Sequence, residues 1–284
     1  SAPSLVYDRV LQSIRQINPF WLKVSFVFML IGFGTKLGLA PMHFWLPDAH
    51  SEAPAPVSAL LSGALLNTAL LPLIRMQSLM EAADLGSIAA QMFQVLGFLS
   101  LFIAAVFIVK IKNYKRLLAY SSIENMGLIM IAFGIGGATS KIGLIHVMGH
   151  SLIKASFFLT AGNAYHIYAQ KEYDKCGGLL DAHAPSGWLW LISFMFIVGM
   201  PPSPLFFSEF GIAVNLLARG NIAGVLIYFL LLASIAYGLG RASLAVTMGS
   251  SDRRVRIPLL HWLPQAVMLL LAAGVPYFLY LSIG

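Results

Sequence analysis

The sequence predicts an all-α, polytopic transmembrane helix bundle of about eight spans, on three observations. Mean hydropathy is +0.81. Of the 284 residues 58% are hydrophobic and 10% charged, against about 25% charged in an ordinary soluble domain. Apolar runs long enough to cross a hydrocarbon core of about 30 Å recur along the chain, near 20–41, 57–76, 86–110, 116–137, 140–169, 187–217, 221–247 and 257–282. No period-two alternation of a membrane barrel is present, so helices are the way the backbone is satisfied in lipid.

The formal charge of +7 points to a juxtamembrane bias and not to nucleic acid, because the basic residues sit at span ends. The single cysteine, Cys176, excludes an internal disulfide framework and a cysteine-ligated cluster. The whole chain, 1–284, reads as one transmembrane domain. Residues 1–18 form a short amphipathic segment with Arg9 and Arg15, lacking the apolar core of a signal peptide. With no initiator Met, the chain is expected to begin partway through something longer.

The first span carries Lys36 beside glycines and meets Pro41, which predicts an interrupted helix with freed carbonyls near an ionisable group. LPDAHSEAPAP follows, with Asp48, His50 and Glu52. With His43 these could be read as a metal site, but the spacing favours surface or helix-capping roles. The second span holds Asn67 at mid-membrane, either gluing helices or lining a water path. The third is packing. Lys110, Lys112, Lys115 and Arg116 precede the fourth, which Glu124 enters about two turns on. An interfacial ion pair with that cluster is expected of Glu124, with a deep proton carrier as the alternative.

The fifth span contains HVMGHSLIKASFFLTAGN, where His146, His150 and Lys154 are spaced i, i+4, i+8 and drift only about 80° around a helix. They share one polar face, with Ser151 beside it. A lysine at the bilayer centre costs at least about 2.5–3.5 kcal/mol, so it should face protein or water. The sixth span is broken at Met200-Pro201-Pro202-Ser203-Pro204, with Glu209 soon after. A carboxylate just past a helix break is a site signature, weighed against an idle residue favoured by the helix dipole. The last two spans look supporting. Counting basic residues by alternating loops puts Lys110, Lys112, Lys115, Arg116, Lys171, Lys175, Arg253, Arg254 and Arg256 on one side, which is the expected cytoplasmic side.

Lys36, Asn67, His146, His150, Lys154 and Glu209 fall on four spans. Each is costly alone in hydrocarbon. With water between them the titratable members can hand a proton from one to the next. A zinc site is disfavoured because Val147, not Glu, follows His146. A bis-histidine haem is disfavoured because both histidines share one helix.

GTKLGLAPMHFWLPDAHSEAPAPVSALLSG, KRLLAYSSIENMG, the histidine stripe and GMPPSPLFFSEF, in that order, resemble the antiporter-like proton-pumping subunits shared by respiratory complex I, multisubunit cation/proton antiporters and membrane-bound nickel–iron hydrogenases. The likeness runs from about Phe20 to Glu209 and is nearest the hydrogenase-4 component F type of formate hydrogenlyase-like complexes, because Asn67 and Glu209 stand where many complex I relatives carry lysine or histidine. It implies that Lys36 is the first-channel lysine, that His146, His150 and Lys154 are the central relay, and that Glu209 ends the exit channel. Asn67, Glu124 and Ser151 would be supporting polar residues.

Only the later part of the family's length is resembled, and the early-helix glutamate that pairs with the Lys36 position is absent. The resemblance further implies a subunit of an oxidoreductase complex, of hydrogenase-4 or NADH-quinone type, in a prokaryotic inner membrane. It would bind no cofactor or metal itself; iron–sulfur clusters and a nickel–iron centre would belong to partner membrane and peripheral subunits. A Na+/H+ antiporter subunit and a non-conducting structural scaffold remain as alternatives.

Overall fold

A computed structural model describes residues 6–283, with side-chain surroundings given through Pro276; residues 1–5 of the predicted amphipathic segment lie outside the described residues. The described chain is helical: α1 Tyr7–Ser13, α2 Pro19–Leu37, α3 Trp45–Glu52, α4 Ala55–Leu60, α5 Leu66–Ala82, α6 Gly86–Ile108 and α7 Tyr114–Ile135 form its first part. The second comprises α8 Ala138–Tyr168, α9 Leu179–Ala182, α10 Ala184–Ile197, α11 Pro204–Ala218, α12 Ile222–Thr247 and α13 Leu263–Ile283. Among the described residues six helices are long and apolar enough to cross a membrane, with α4 and α5 counted as one, and α10, α11 and α13 are shorter apolar helices. The multi-pass membrane bundle expected from composition is the fold observed.

Local chemistry accounts for the helix ends. Asn18 caps α2 by accepting from Phe20 N at 2.9 Å, with Pro19 in the first helical position. Asn113 caps α7 by accepting from Lys115 N at 3.0 Å and Arg116 N at 3.2 Å. Both predicted interruptions are present. α2 stops at Gly38, whose φ of +79° suits glycine, and the Thr35 carbonyl at that end accepts from Gly38 N at 3.1 Å and from Trp45 Nε1 at 2.7 Å. Between α10 and α11, Ser203 Oγ donates to Phe196 O at 2.7 Å and accepts from Leu205 N at 3.1 Å. These partners satisfy backbone that a straight helix would have satisfied itself. A third irregularity, the π-helical turn Leu61–Leu65 between α4 and α5, carries no proline to announce it.

α7 is the axis of the bundle: every one of its residues except Arg116 is buried. Glycines bring α6 against it, since a Cβ at Gly127 would lie 2.7 Å from Gly97 O, and one at Gly134 would lie 2.8 Å from Ala90 O. Such close approach lets backbones make the dispersion contacts that hold membrane helices together.

The loops sort onto two ends as the charge count predicted. At the basic end Tyr114 N donates to Lys171 O at 2.9 Å, Tyr173 N to Lys112 O at 3.1 Å, Gly178 N to Met248 O at 2.7 Å and Val255 N to Ala182 O at 3.1 Å. Lys112 pairs with Asp174 at 2.8 Å. At the other end Arg15 donates to Ala82 O at 3.2 Å and Arg219 to Ile135 O. The predicted eighth span begins later than expected, because Leu259–His261 forms a 3₁₀ turn ahead of α13.

Candidate functional site

Lys154 lies near the midpoint of α8 and is fully buried. Its Nζ donates to Leu118 O at 2.7 Å and to Ser121 Oγ, both on α7, and sits 5.8 Å from the centre of the Phe158 ring. The described residues make no salt bridge to it. Two hydrogen bonds and a ring face therefore hold an amine that has no carboxylate within salt-bridge distance among the described residues.

His146, also fully buried, is hydrogen-bonded on both ring nitrogens: Nε2 to Asn125 Oδ1 at 2.9 Å and Nδ1 to Ser208 Oγ at 2.8 Å. Asn125 Nδ2 donates to Ser121 O at 2.6 Å, which fixes its Oδ1 as an acceptor and assigns the proton of neutral His146 to Nε2. Nδ1 then accepts from Ser208. The same hydroxyl reaches Leu205 O at 3.0 Å and Pro204 O at 3.2 Å, so a second proton on Nδ1 needs only a rotation of Ser208. His150, one turn on and fully buried, has neither ring nitrogen hydrogen-bonded.

Glu124 departs from the expectation. It lies at the middle of α7, 3% exposed, with Oε2 unpartnered, so it is not an interfacial ion pair. Ten helical residues, about 15 Å, separate it from the basic end. Glu209, in the second turn of α11, lines a cleft of about 310 Å³ with Phe206, Phe210 and Phe229. Gly199 packs so closely on its carboxylate that a Cβ there would lie 2.4 Å from Oε2.

Lys36 does not join this group. It occupies the last turn of α2 and is exposed on the outer face, without a hydrogen bond or ion pair to the described residues, because the buried stripe of α2 runs through Leu22, Phe26, Leu30, Gly34 and Leu37 instead. Ala40 N, in the break, donates to Ser100 Oγ at 3.0 Å, eight residues before the end of α6 at the basic end, which places the break next to Lys36 about 12 Å inside it. Asn67 takes the helix-joining role: its Nδ2 donates to Ser151 Oγ at 2.6 Å and to Gly63 O at 3.2 Å.

The loop histidines are a correction. His43 and His50 are buried at 1% and 0% exposure, not surface caps, while Asp48 pairs with Arg116 and Glu52 with Lys171. His50 stacks on Phe158 with ring centres 4.5 Å apart, a ring that Lys154 also approaches, and neither of its nitrogens is hydrogen-bonded. The signal in the sequence was its i, i+4 spacing from Leu46, which puts both on the inner face of α3.

Several known proteins share this arrangement of sequence and fold. The chain is 39% identical over 220 residues to a hydrogenase-4 component F homolog of Methylacidiphilum infernorum, covering 77% of this chain and 46% of the relative. It is 31% identical to a Na(+)/H(+) antiporter subunit of Alkalihalophilus pseudofirmus, covering 77% and 43%. The chain thus spans less than half the length of these relatives. Among solved structures it superposes with a TM-score of 0.87 and 22% identity on a chain of an archaeal membrane-bound sulfane sulfur reductase, covering 96% of this chain and 57% of that one. Against the Mrp complex of Dietzia the TM-score is 0.84 at 16% identity, covering 92% and 57%; these two likenesses show the fold. Residues 10–236 match the NADH:quinone oxidoreductase/Mrp antiporter transmembrane family, and the chain belongs to it.

Proposed function

We propose that this chain is part of a proton-translocating membrane subunit of a respiratory redox complex in a prokaryotic inner membrane, of the hydrogenase or NADH-quinone oxidoreductase kind. Electron transfer in partner subunits, which hold the iron–sulfur clusters and nickel–iron centre, drives it; this chain contributes the path. The observation that carries the reading is Lys154, buried at mid-bundle with no carboxylate in direct contact, since an amine at such depth is retained where its charge is used. His146 and His150 extend the path along α8, and Glu209 delivers to the cleft at the outer face. Lys36 takes the entry step, because a lysine at that depth on the outside of α2 requires cover from protein or water. Hydrogenase-4 component F similarity supports the redox partner.

Proton uptake by sealed vesicles bearing the intact complex tests this: Lys154→Met is expected to abolish redox-driven uptake while assembly is kept. Unchanged uptake refutes the reading and favours a non-conducting scaffold. The second reading, cation/proton exchange, is favoured by the similarity to a Na(+)/H(+) antiporter subunit; sodium-dependent proton movement without any electron donor would select it.

A further inference from the structure

The proton-translocating reading leaves Glu124 without a task, yet the fold buries it between the Lys154 contact on α7 and a void it shares with Glu209. Ser121, which accepts from Lys154 Nζ, is one turn before Glu124 on α7, and side chains three apart are neighbours on a helix surface. On its other side Glu124 lines a void of about 10 Å³ together with Glu209, Val198, Leu232, Ile235 and Ala236, roughly the room of one water. Glu209 also lines the 310 Å³ cleft beyond. The unpartnered Oε2 of Glu124 is 3% exposed by residue, and an acceptor so buried is costly unless something transient reaches it.

We infer that Glu124 is a proton carrier between Lys154 and Glu209, the two carboxyl groups holding one proton between them across a single water. In the first step an N–H bond of the Lys154 ammonium breaks, the electron pair stays on nitrogen, and an O–H bond forms on Glu124. In the second the proton passes through the water to the Glu209 carboxylate, restoring the Glu124 anion and leaving Glu209 neutral at the cleft. Two carboxylates at this separation in a poorly hydrated interior do not both ionise readily, so a proton arriving at Glu124 favours transfer onward only when Glu209 has emptied into the cleft. The other groups facing the pair are His146, tied to Asn125 and to Ser208 beside Glu209, and Tyr228, whose hydroxyl donates to Glu209 O at 3.1 Å.

The inference rests on the proton-translocating reading, and the test separates the two. In vesicles bearing the native complex, Glu124→Gln should lower redox-driven proton uptake by about tenfold or more, with Glu124→Asp restoring most of it. A protonated-carboxyl infrared band should disappear both in Glu124→Gln and in Glu209→Gln, as expected of one shared proton. Ala236→Val, which fills the void without altering any titratable group, should slow uptake as well, and it decides the matter if Glu124→Gln fails to assemble. Wild-type uptake in Glu124→Gln or Ala236→Val, alongside loss in Lys154→Met, would overturn the carrier role and leave the general reading standing. Wild-type uptake in Lys154→Met would remove both.

Discussion

Replacing Gly199 by alanine isolates the position of one carboxylate. Gly199 sits in the α10–α11 break at φ +67°, and an alanine Cβ there would fall 2.4 Å from Glu209 Oε2 and 3.0 Å from Cδ. Ordinary contact begins at 3.4 Å, so the carboxylate must retreat by about 1 Å, the scale of misplacement that costs up to roughly 10²-fold where geometry governs a step. The left-handed backbone adds about 1–2 kcal/mol of strain for a residue with a Cβ. Gly220, in the α11–α12 turn at φ +73° with nothing within 4 Å of its would-be Cβ, carries the same backbone strain without the clash. Redox-driven uptake in vesicles and thermal unfolding of the purified complex should therefore diverge. Gly199→Ala is expected to lose both transport and stability, and Gly220→Ala stability alone. Equal transport in the two variants would show that the placement of Glu209 does not limit proton release.

Other perturbations probe the remaining supports. Asn125→Ala strands the fully buried Nε2 of His146 and should cost about 1–3 kcal/mol, read as a lower unfolding temperature accompanied by slower uptake. Asn67→Leu removes the interhelical bond to Ser151 and the local one to Gly63 O; a loss of about 0.6 kcal/mol for the interhelical bond with transport retained is expected, and lost transport would restore Asn67 to the path. Gly127→Ala drives a Cβ to within 2.7 Å of Gly97 O and should destabilise the α6–α7 contact by about 1–3 kcal/mol, seen as reduced yield of assembled complex. At the basic end, desolvation holds the His183 imidazole below its ordinary value, and its Nδ1 accepts from Ser186 N at 3.3 Å as the cap of α10. That stability is present above the unfolded pKa of 6.5 and lost as pH falls through the lower folded one, so unfolding temperature should drop on acidification in the wild type and flatten in His183→Asn.

The spans, both proline-marked breaks and the two ends of the bundle were legible because each has a local cause: length of apolar run, a residue that cannot continue a helix, or basic side chains that stay out of lipid. The His146, His150 and Lys154 stripe was legible because periodicity alone puts it on one face. What periodicity could not supply was which face of a given helix turns inward. Lys36 and Leu37 are adjacent, and packing chose Leu37 for the interior. Glu124 was misplaced for a related reason: counting turns from the Lys110–Arg116 cluster gave its distance along α7, but not that α7 is surrounded by protein on all sides, where no headgroup-level partner can reach it. His50 was hidden by its setting among prolines and acids, which look like surface although α3 folds back against α7 with its Leu46 and His50 side inward.

A fully buried helix in a membrane bundle has no need of polar residues, and every one it keeps there requires a partner across a helix contact. α7 keeps four of them around Ile123: Ser121 receives Lys154, Ser122 meets Ser62 of the π-helical turn at 2.8 Å, Asn125 holds His146, and Glu124 borders the void shared with Glu209. Three separate stretches of the chain, α8, the π turn and α11, are thereby tied to about one turn and a half of a single helix. The irregular backbone lies at the same level, since the π turn supplies Ser62 and the α10–α11 break precedes Glu209. Interrupted helices are tolerated at membrane depth where they face protein or a water-lined space, and here both interruptions bring a polar side chain to α7. A change in charge at Lys154 is therefore felt first through α7 hydrogen bonds and only then at the surface cleft. That ordering is why the consequences of substituting Ser121, Glu124 or Asn125 should differ from those of substituting any lipid-facing residue of comparable size.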